Sequence, residues 1–117
     1  MTLSQIANFF AQVPLFAHLP EHDRLALAQA SRATALGKGD ILFHRGQPCE
    51  GIYAVTQGQL KLSLLAANGT EKVVELIRTG QTCGEALMFL DKDYIVTASA
   101  LSDTQVLHVG KAAILQG

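Results

Sequence analysis

Apolar residues recur at helical spacing only near the start of the chain. Leu3, Ile6, Ala7 and Phe10 stand at i, i+3, i+4 and i+7, which predicts a short amphipathic helix over 3–12, ended ahead of Pro14. A second helix is predicted after Pro20, with Glu21 and Asp23 in a first turn where negative charge suits the helix dipole, and a body over 25–33. Glycine then takes over as punctuation: Gly37, Gly39, Gly46, Gly51, Gly58, Gly69, Gly80 and Gly84 separate short β-prone runs. The predicted strands are 40–44, 52–56, 59–66, 71–78, 94–101 and 104–109. Asn68-Gly69 predicts a hairpin with a type I′ turn, because both residues accept positive φ. Many short strands with glycine turns imply a mainly β chain, a closed roll of the jelly-roll or double-stranded β-helix kind that hides its edges. Lys111-Ala112-Ala113-Ile114-Leu115 predicts the start of a C-terminal helix, cut short at Gly117.

Composition narrows the classes. A chain of 117 residues, 49% hydrophobic and without Trp, is expected to form one domain over 1–117 with a core that needs no disulfide or metal. No apolar run approaches the roughly 18 residues of a membrane span, so no membrane partner is expected. Net charge is −1, and nine Lys and Arg are scattered from Arg24 to Lys111 without forming a stripe, which leaves this segment no footprint for nucleic acid. The first twelve residues carry no basic region and no cleavage-like site, so a cytoplasmic location is expected. Cys49 and Cys83 read as free thiols, too few for a four-thiolate iron-sulfur cluster.

One segment concentrates the chemistry. In Thr82-Cys83-Gly84-Glu85-Ala86-Leu87-Met88-Phe89-Leu90, a glycine hands a strand to a short helix whose first N–H groups lack intrahelical partners and can face an anion. No arginine follows to neutralise a phosphate. Lys92 falls between Asp91 and Asp93 in what reads as a solvated turn. Leu87, Met88, Phe89, Ile95 and Val96 are readable either as core or as the wall of an apolar pocket.

Leu15-Phe16, Leu19-Pro20, Gly39 with Ile41-Leu42-Phe43, Arg45-Gly46, Gly51-Ile52-Tyr53-Ala54-Val55, Gly58-Gln59-Leu60-Lys61-Leu62, Asn68-Gly69, Gly80 and Gly84-Glu85 stand in a familiar order and spacing. Over essentially its whole length the chain resembles the sensor domain of Crp/Fnr superfamily transcriptional regulators. The resemblance implies a cyclic-nucleotide-binding-type β-roll that receives a small-molecule effector. It also implies a long dimerisation helix and a helix-turn-helix domain beyond this chain, so homodimerisation and DNA binding are expected of the full-length protein. Family members that bind cyclic nucleotide set the Gly-Glu, here Gly84 and Glu85, against the ribose 2′-OH. They place an arginine on the phosphate where this chain has Tyr94, or Ile95 if no gap is allowed. A charge-assisted hydrogen bond contributes about 1.5–3 kcal/mol, and tenfold in affinity corresponds to about 1.4 kcal/mol. The missing arginine therefore removes roughly one to two orders of magnitude, and Tyr94→Arg is the substitution expected to restore them. The expected ligand pocket comprises Gly84, Glu85, Ala86, Leu87, Met88, Tyr94, Ile95, Val96 and Thr97.

The run Glu85 to Asp91 followed by Tyr94-Ile95-Val96-Thr97-Ala98 resembles the dissimilatory nitrate respiration regulators, a branch associated with haem-dependent nitric oxide sensing. Haem would need an axial ligand, and His18, His22, His44 and His108 are the candidates, with Met88 beside them. His18 and His22 are four apart, but Pro20 keeps them off a common helix face, and His18 leads because it lies in the loop between the two helices. The alternatives are a cyclic-nucleotide module with an atypical phosphate site, and a dimerisation module with a vestigial pocket. No His-x-His pair supports the metal site of a cupin-type oxygenase, and Glu85 with Asp91 or Asp93 offers no walled acid-base pair, so no enzyme activity is expected.

Overall fold

The computed structural model describes residues 1–116. Helix α1, Leu3–Phe10, opens with a capping box: Gln5 N–H donates to Thr2 Oγ1 at 3.2 Å, and Thr2 N–H donates back to Gln5 Oε1 at 2.7 Å. Its buried Phe10 meets Phe16 edge-on with centroids 5.1 Å apart. Helix α2, Glu21–Ala30, carries Glu21 and Asp23 in its first turn as expected. It does not run on to Ala33. Residues Ser31–Leu36 form strand β1, paired with a later strand from Ser31↔Val109 to Leu36↔Thr104. The Ser31 hydroxyl caps the helix by donating to Ala28 O at 2.8 Å. Strand pairing then overrides the helix propensity of Ala33.

The remaining elements are β2 Ile41–Phe43, β3 Gly51–Gln57, β4 Gln59–Leu65, β5 Glu71–Arg78, β6 Thr82–Cys83, α3 Glu85–Phe89, β7 Thr97–Ala100, β8 Thr104–Gly110 and α4 Lys111–Leu115. They build two four-stranded antiparallel sheets, β1-β8-β3-β6 and β2-β7-β4-β5. Ile52, Val55, Val106, Leu107 and Val109 of the first sheet and Leu60, Leu62, Ile77 and Ala98 of the second are buried in one core. Helices α2 and α4 cover part of the first sheet, which explains why β3 and β8 read as nearly continuous apolar runs.

Three further expectations change. At the β4–β5 hairpin only Gly69 has positive φ, at +88°. Gly69 N–H donates to Ala66 O, Ala66 N–H to Thr70 O, and Thr70 N–H to Asn68 Oδ1, so the turn is a three-residue loop with glycine in the left-handed position rather than type I′. Asn68 spends its side chain on that amide instead of adopting positive φ. The strand expected over 94–101 begins only at Thr97, because Tyr94 is drawn to the preceding loop: its N–H donates to Gln47 O and its carbonyl accepts from Gly46 N–H. Finally, the roll is a pair of facing sheets whose ends remain. The flank of β5 exposes Val73, Val74 and Leu76 and guards itself with Glu71, Lys72 and Arg78. Among the described residues no helix is long and apolar enough to cross a membrane.

Candidate functional site

The site is built where β6 ends. Gly84 has φ +96°, a conformation that a side chain strains, and an added Cβ would lie 3.1 Å from Gly51 O and 3.4 Å from Cys49 Sγ. The turn it makes starts α3 at Glu85. Met88 N–H donates to Gly84 O, while the amides of Glu85, Ala86 and Leu87 find no acceptor in the protein among the described residues. Thr82 Oγ1 donates to Glu85 Oε1 at 3.3 Å, and Glu85 Oε2 is buried without a partner among the described residues. An acceptor buried and unpaired costs about 1–3 kcal/mol, so a ligand donor that meets it recovers a stored penalty.

Tyr94 goes elsewhere. It is 5% exposed, and its ring stacks on Phe43 with centroids 3.6 Å apart and planes within 9°. Phe43 in turn stacks on Tyr53 at 6.0 Å, and Tyr53 meets His108 at 4.7 Å. Burial, then hydrogen bonding with Cys49, pushes the Tyr94 phenol well above its ordinary range. Cys49 Sγ donates to Gly84 O at 3.3 Å and to Gly51 O at 3.4 Å, so thiol and ring together brace Gly84 from behind. Tyr94 therefore supports the segment and does not wall a pocket with Glu85. Ile95 is 64% exposed and is the position left free to carry a longer side chain.

Of the other expected site residues, Met88 is fully buried, Leu87 packs at the core's margin, and Val96 and Thr97 are partly covered. Thr97 Oγ1 accepts from Arg45 N–H at 3.1 Å. The Cys83 thiol is pushed up to about 12 by burial and then by the charges of Glu85, Cys49 and Glu75. It is no nucleophile at neutral pH.

The histidines separate. His18 lines a groove of about 550 Å³ with Leu15, Phe16, Leu27, Phe89 and Ile114. His108 lines a second cavity of about 440 Å³ with Arg32, Glu50, Tyr53 and Tyr94, and burial followed by the Arg32 charge holds it below its ordinary pKa. His44 is exposed, and His22, also exposed, approaches Asp23 at 3.3 Å. Among the described residues no three metal-ligating groups cluster, so the four imidazoles form no shared site. Met88 does not line the His18 groove.

A link the sequence did not disclose ties this segment to α4. Asp91, at φ +57°, accepts from Lys111 Nζ at 2.5 Å, which holds its carboxyl below the ordinary range, while Lys111 N–H donates to Glu50 O. Phe89 and Ile114 also share the wall of the first groove. A pairing between residues twenty apart, one in a turn and one in a helix, has no local sequence signal.

Comparison with known proteins follows the same lines. A curated relative, a putative potassium channel protein of Rhodopseudomonas palustris, is 31% identical over 102 residues, which cover 86% of this chain and 24% of that protein. The chain thus spans about a quarter of the length of that relative. The sensor domain of the transcriptional regulator DNR from Pseudomonas aeruginosa superposes with a TM-score of 0.91 at 28% identity, covering 97% of this chain and 77% of that one. The N-terminal domain of a transcriptional regulator from Streptomyces coelicolor superposes with a TM-score of 0.82 at 28% identity, covering 92% and 77%. Residues 33–116 match the cyclic nucleotide-binding domain, and the chain belongs to that family.

Proposed function

We propose that this chain is the effector-sensing domain of a transcriptional regulator, and that its effector is held through hydroxyl groups rather than through a charged phosphate. The observation that carries this reading is Glu85: one oxygen tethered to Thr82, the other buried and unpaired. A vicinal diol such as a ribose supplies the missing donor. The phosphate end has no counterpart, because Tyr94 is committed to Phe43 and Cys49 and Ile95 carries no charge. Likeness to the DNR sensor domain and to the N-terminal domain of the S. coelicolor regulator supports the regulator context. In that context the chain is a single cytoplasmic sensor unit, and the dimerisation helix and DNA-binding domain belong to the full-length homodimer.

The path of the signal follows from the link between Asp91 and Lys111. A ligand that draws the 84–91 segment inward biases the position of α4, from which a dimerisation helix would continue. Titration calorimetry with cyclic AMP, cyclic GMP, adenosine and guanosine tests the reading. Each nucleoside is expected to bind at least as tightly as its cyclic phosphate. A cyclic nucleotide tighter than its nucleoside by tenfold or more would overturn it.

A second reading is favoured by a separate observation. The imidazole of His18 lines an otherwise largely apolar groove with Leu15, Phe16, Leu27, Phe89 and Ile114, a donor set that fits a haem with one protein axial ligand. Bound there, haem would supply a nitric oxide-binding iron. His18 would hold it and Phe89 would report its presence to α3. Titration with hemin is expected to give a saturable Soret band that shifts with nitric oxide and is lost in His18→Ala. A featureless titration removes this reading and leaves the first intact.

A further inference from the structure

A second carboxylate that no resemblance assigned lies on the inner row of β5. Glu75 on β5 is paired with Leu62 on β4, and Leu62 with Ala98 on β7. Directly opposed residues of antiparallel strands share a face, and Leu62 and Ala98 are buried, so this row faces the interior of the roll. Ile77, two residues along β5 and on the same face, is buried as well. Glu75 is nonetheless exposed. It therefore marks the point where the inner row leaves the core for solvent.

The charges of both carboxylates act on the end of β6: the Cys83 thiol, immediately before Gly84, is raised by Glu85 and more weakly by Glu75. Among the described residues neither glutamate has an ion-pair partner. Two of the hairpin's three cations, Lys61 and Lys72, do not offset them, and Arg78 stands one residue past Ile77, on the opposite face of β5 from Glu75. Lys61 is held by Glu71 at 2.7 Å on the outer face. Lys72 lies further out on the inner row, opposite Leu64 and beyond the last β4–β7 pair, Ser63↔Thr97.

We propose that Glu75 is a specificity-determining residue of this site: with Glu85 it makes the mouth of the roll electronegative, admits neutral or cationic polyhydroxyl ligands of the nucleoside class, and excludes their phosphate esters. The inference rests on the reading of Glu85 given above and extends it. A missing arginine weakens phosphate binding, whereas a facing carboxylate opposes it outright.

The test compares the parent, Glu75→Gln, Ile95→Arg and the double variant, each checked for folding by circular dichroism and titrated with cyclic AMP and adenosine. In the Ile95→Arg background, Glu75→Gln is expected to tighten cyclic AMP by about tenfold while moving adenosine less than about twofold. The gain is expected to shrink in about 0.5 M salt. No change for cyclic AMP, or equal changes for both ligands, would show that Glu75 does not face the phosphate and would overturn the inference alone. If none of the four proteins binds either compound, the hydroxyl-binding reading itself fails and this inference falls with it.

Discussion

The two halves of the ligand segment have diverged. Its front half, Gly84 to Leu87, keeps a glycine at positive φ, amides without a protein acceptor and a carboxylate with one buried oxygen left unpaired, the last an arrangement that costs stability in the absence of a ligand. Its back half, from Tyr94, is satisfied: the ring is buried and stacked on Phe43, and the backbone is bridged to Gly46 and Gln47. Uncompensated cost marks a place kept for binding, and full satisfaction marks a place given over to structure. The fold thus holds a binding site at one end of the segment and a structural anchor at the other.

The sharpest way to break this contrast is to place the same residue on both sides of it. Tyr94→Arg forces a cation among Phe43, Tyr53 and Cys49 and is expected to cost about 3 kcal/mol or more in urea unfolding, without creating affinity for cyclic AMP. Ile95→Arg, in solvent, is expected to stay within about 0.5 kcal/mol of the parent. Equal costs would mean that Tyr94 is not an anchor.

Gly84→Ala comes next. The positive φ and the approach to Gly51 O predict a loss of about 1–3 kcal/mol, read as a lower melting temperature. A neutral result would show that the turn is free to relax. Glu85→Gln has a smaller effect and the opposite sign. Removing a buried charge with an unpaired oxygen is expected to raise the ligand-free protein's stability by up to about 1 kcal/mol while weakening nucleoside binding at least tenfold. Loss of stability would assign Glu85 to structure.

The smallest expected effect is a pH dependence on the anchored side. His108 is held below its ordinary value near 6.5 by burial and Arg32, so the unfolded chain binds the proton more readily than the folded one. Its contribution is fully present above that value and is lost as pH falls toward its folded pKa. His108→Phe is expected to flatten the stability profile below about pH 6.5.

Much of this contrast was legible before any coordinates. The glycine punctuation located most of the strands, and Gly84-Glu85 announced the turn into α3. What stayed hidden depended on partners distant in sequence. Ala33 has helix propensity, yet β8 claims it for a strand. Tyr94 has the composition of a pocket wall, but Phe43 claims its ring. Glu75 lies in a strand that is exposed almost throughout, and only its register with Leu62 shows which way it faces.

The contrast comes to a single comparison of ligands. Calorimetric titration of the unmodified chain with adenosine and cyclic AMP asks whether the phosphate adds binding energy. Adenosine is expected to bind, and cyclic AMP to bind no more tightly. Tenfold or greater preference for cyclic AMP would contradict it, because a cation would then have to meet the phosphate at the end of the segment assigned here to Tyr94 and Ile95.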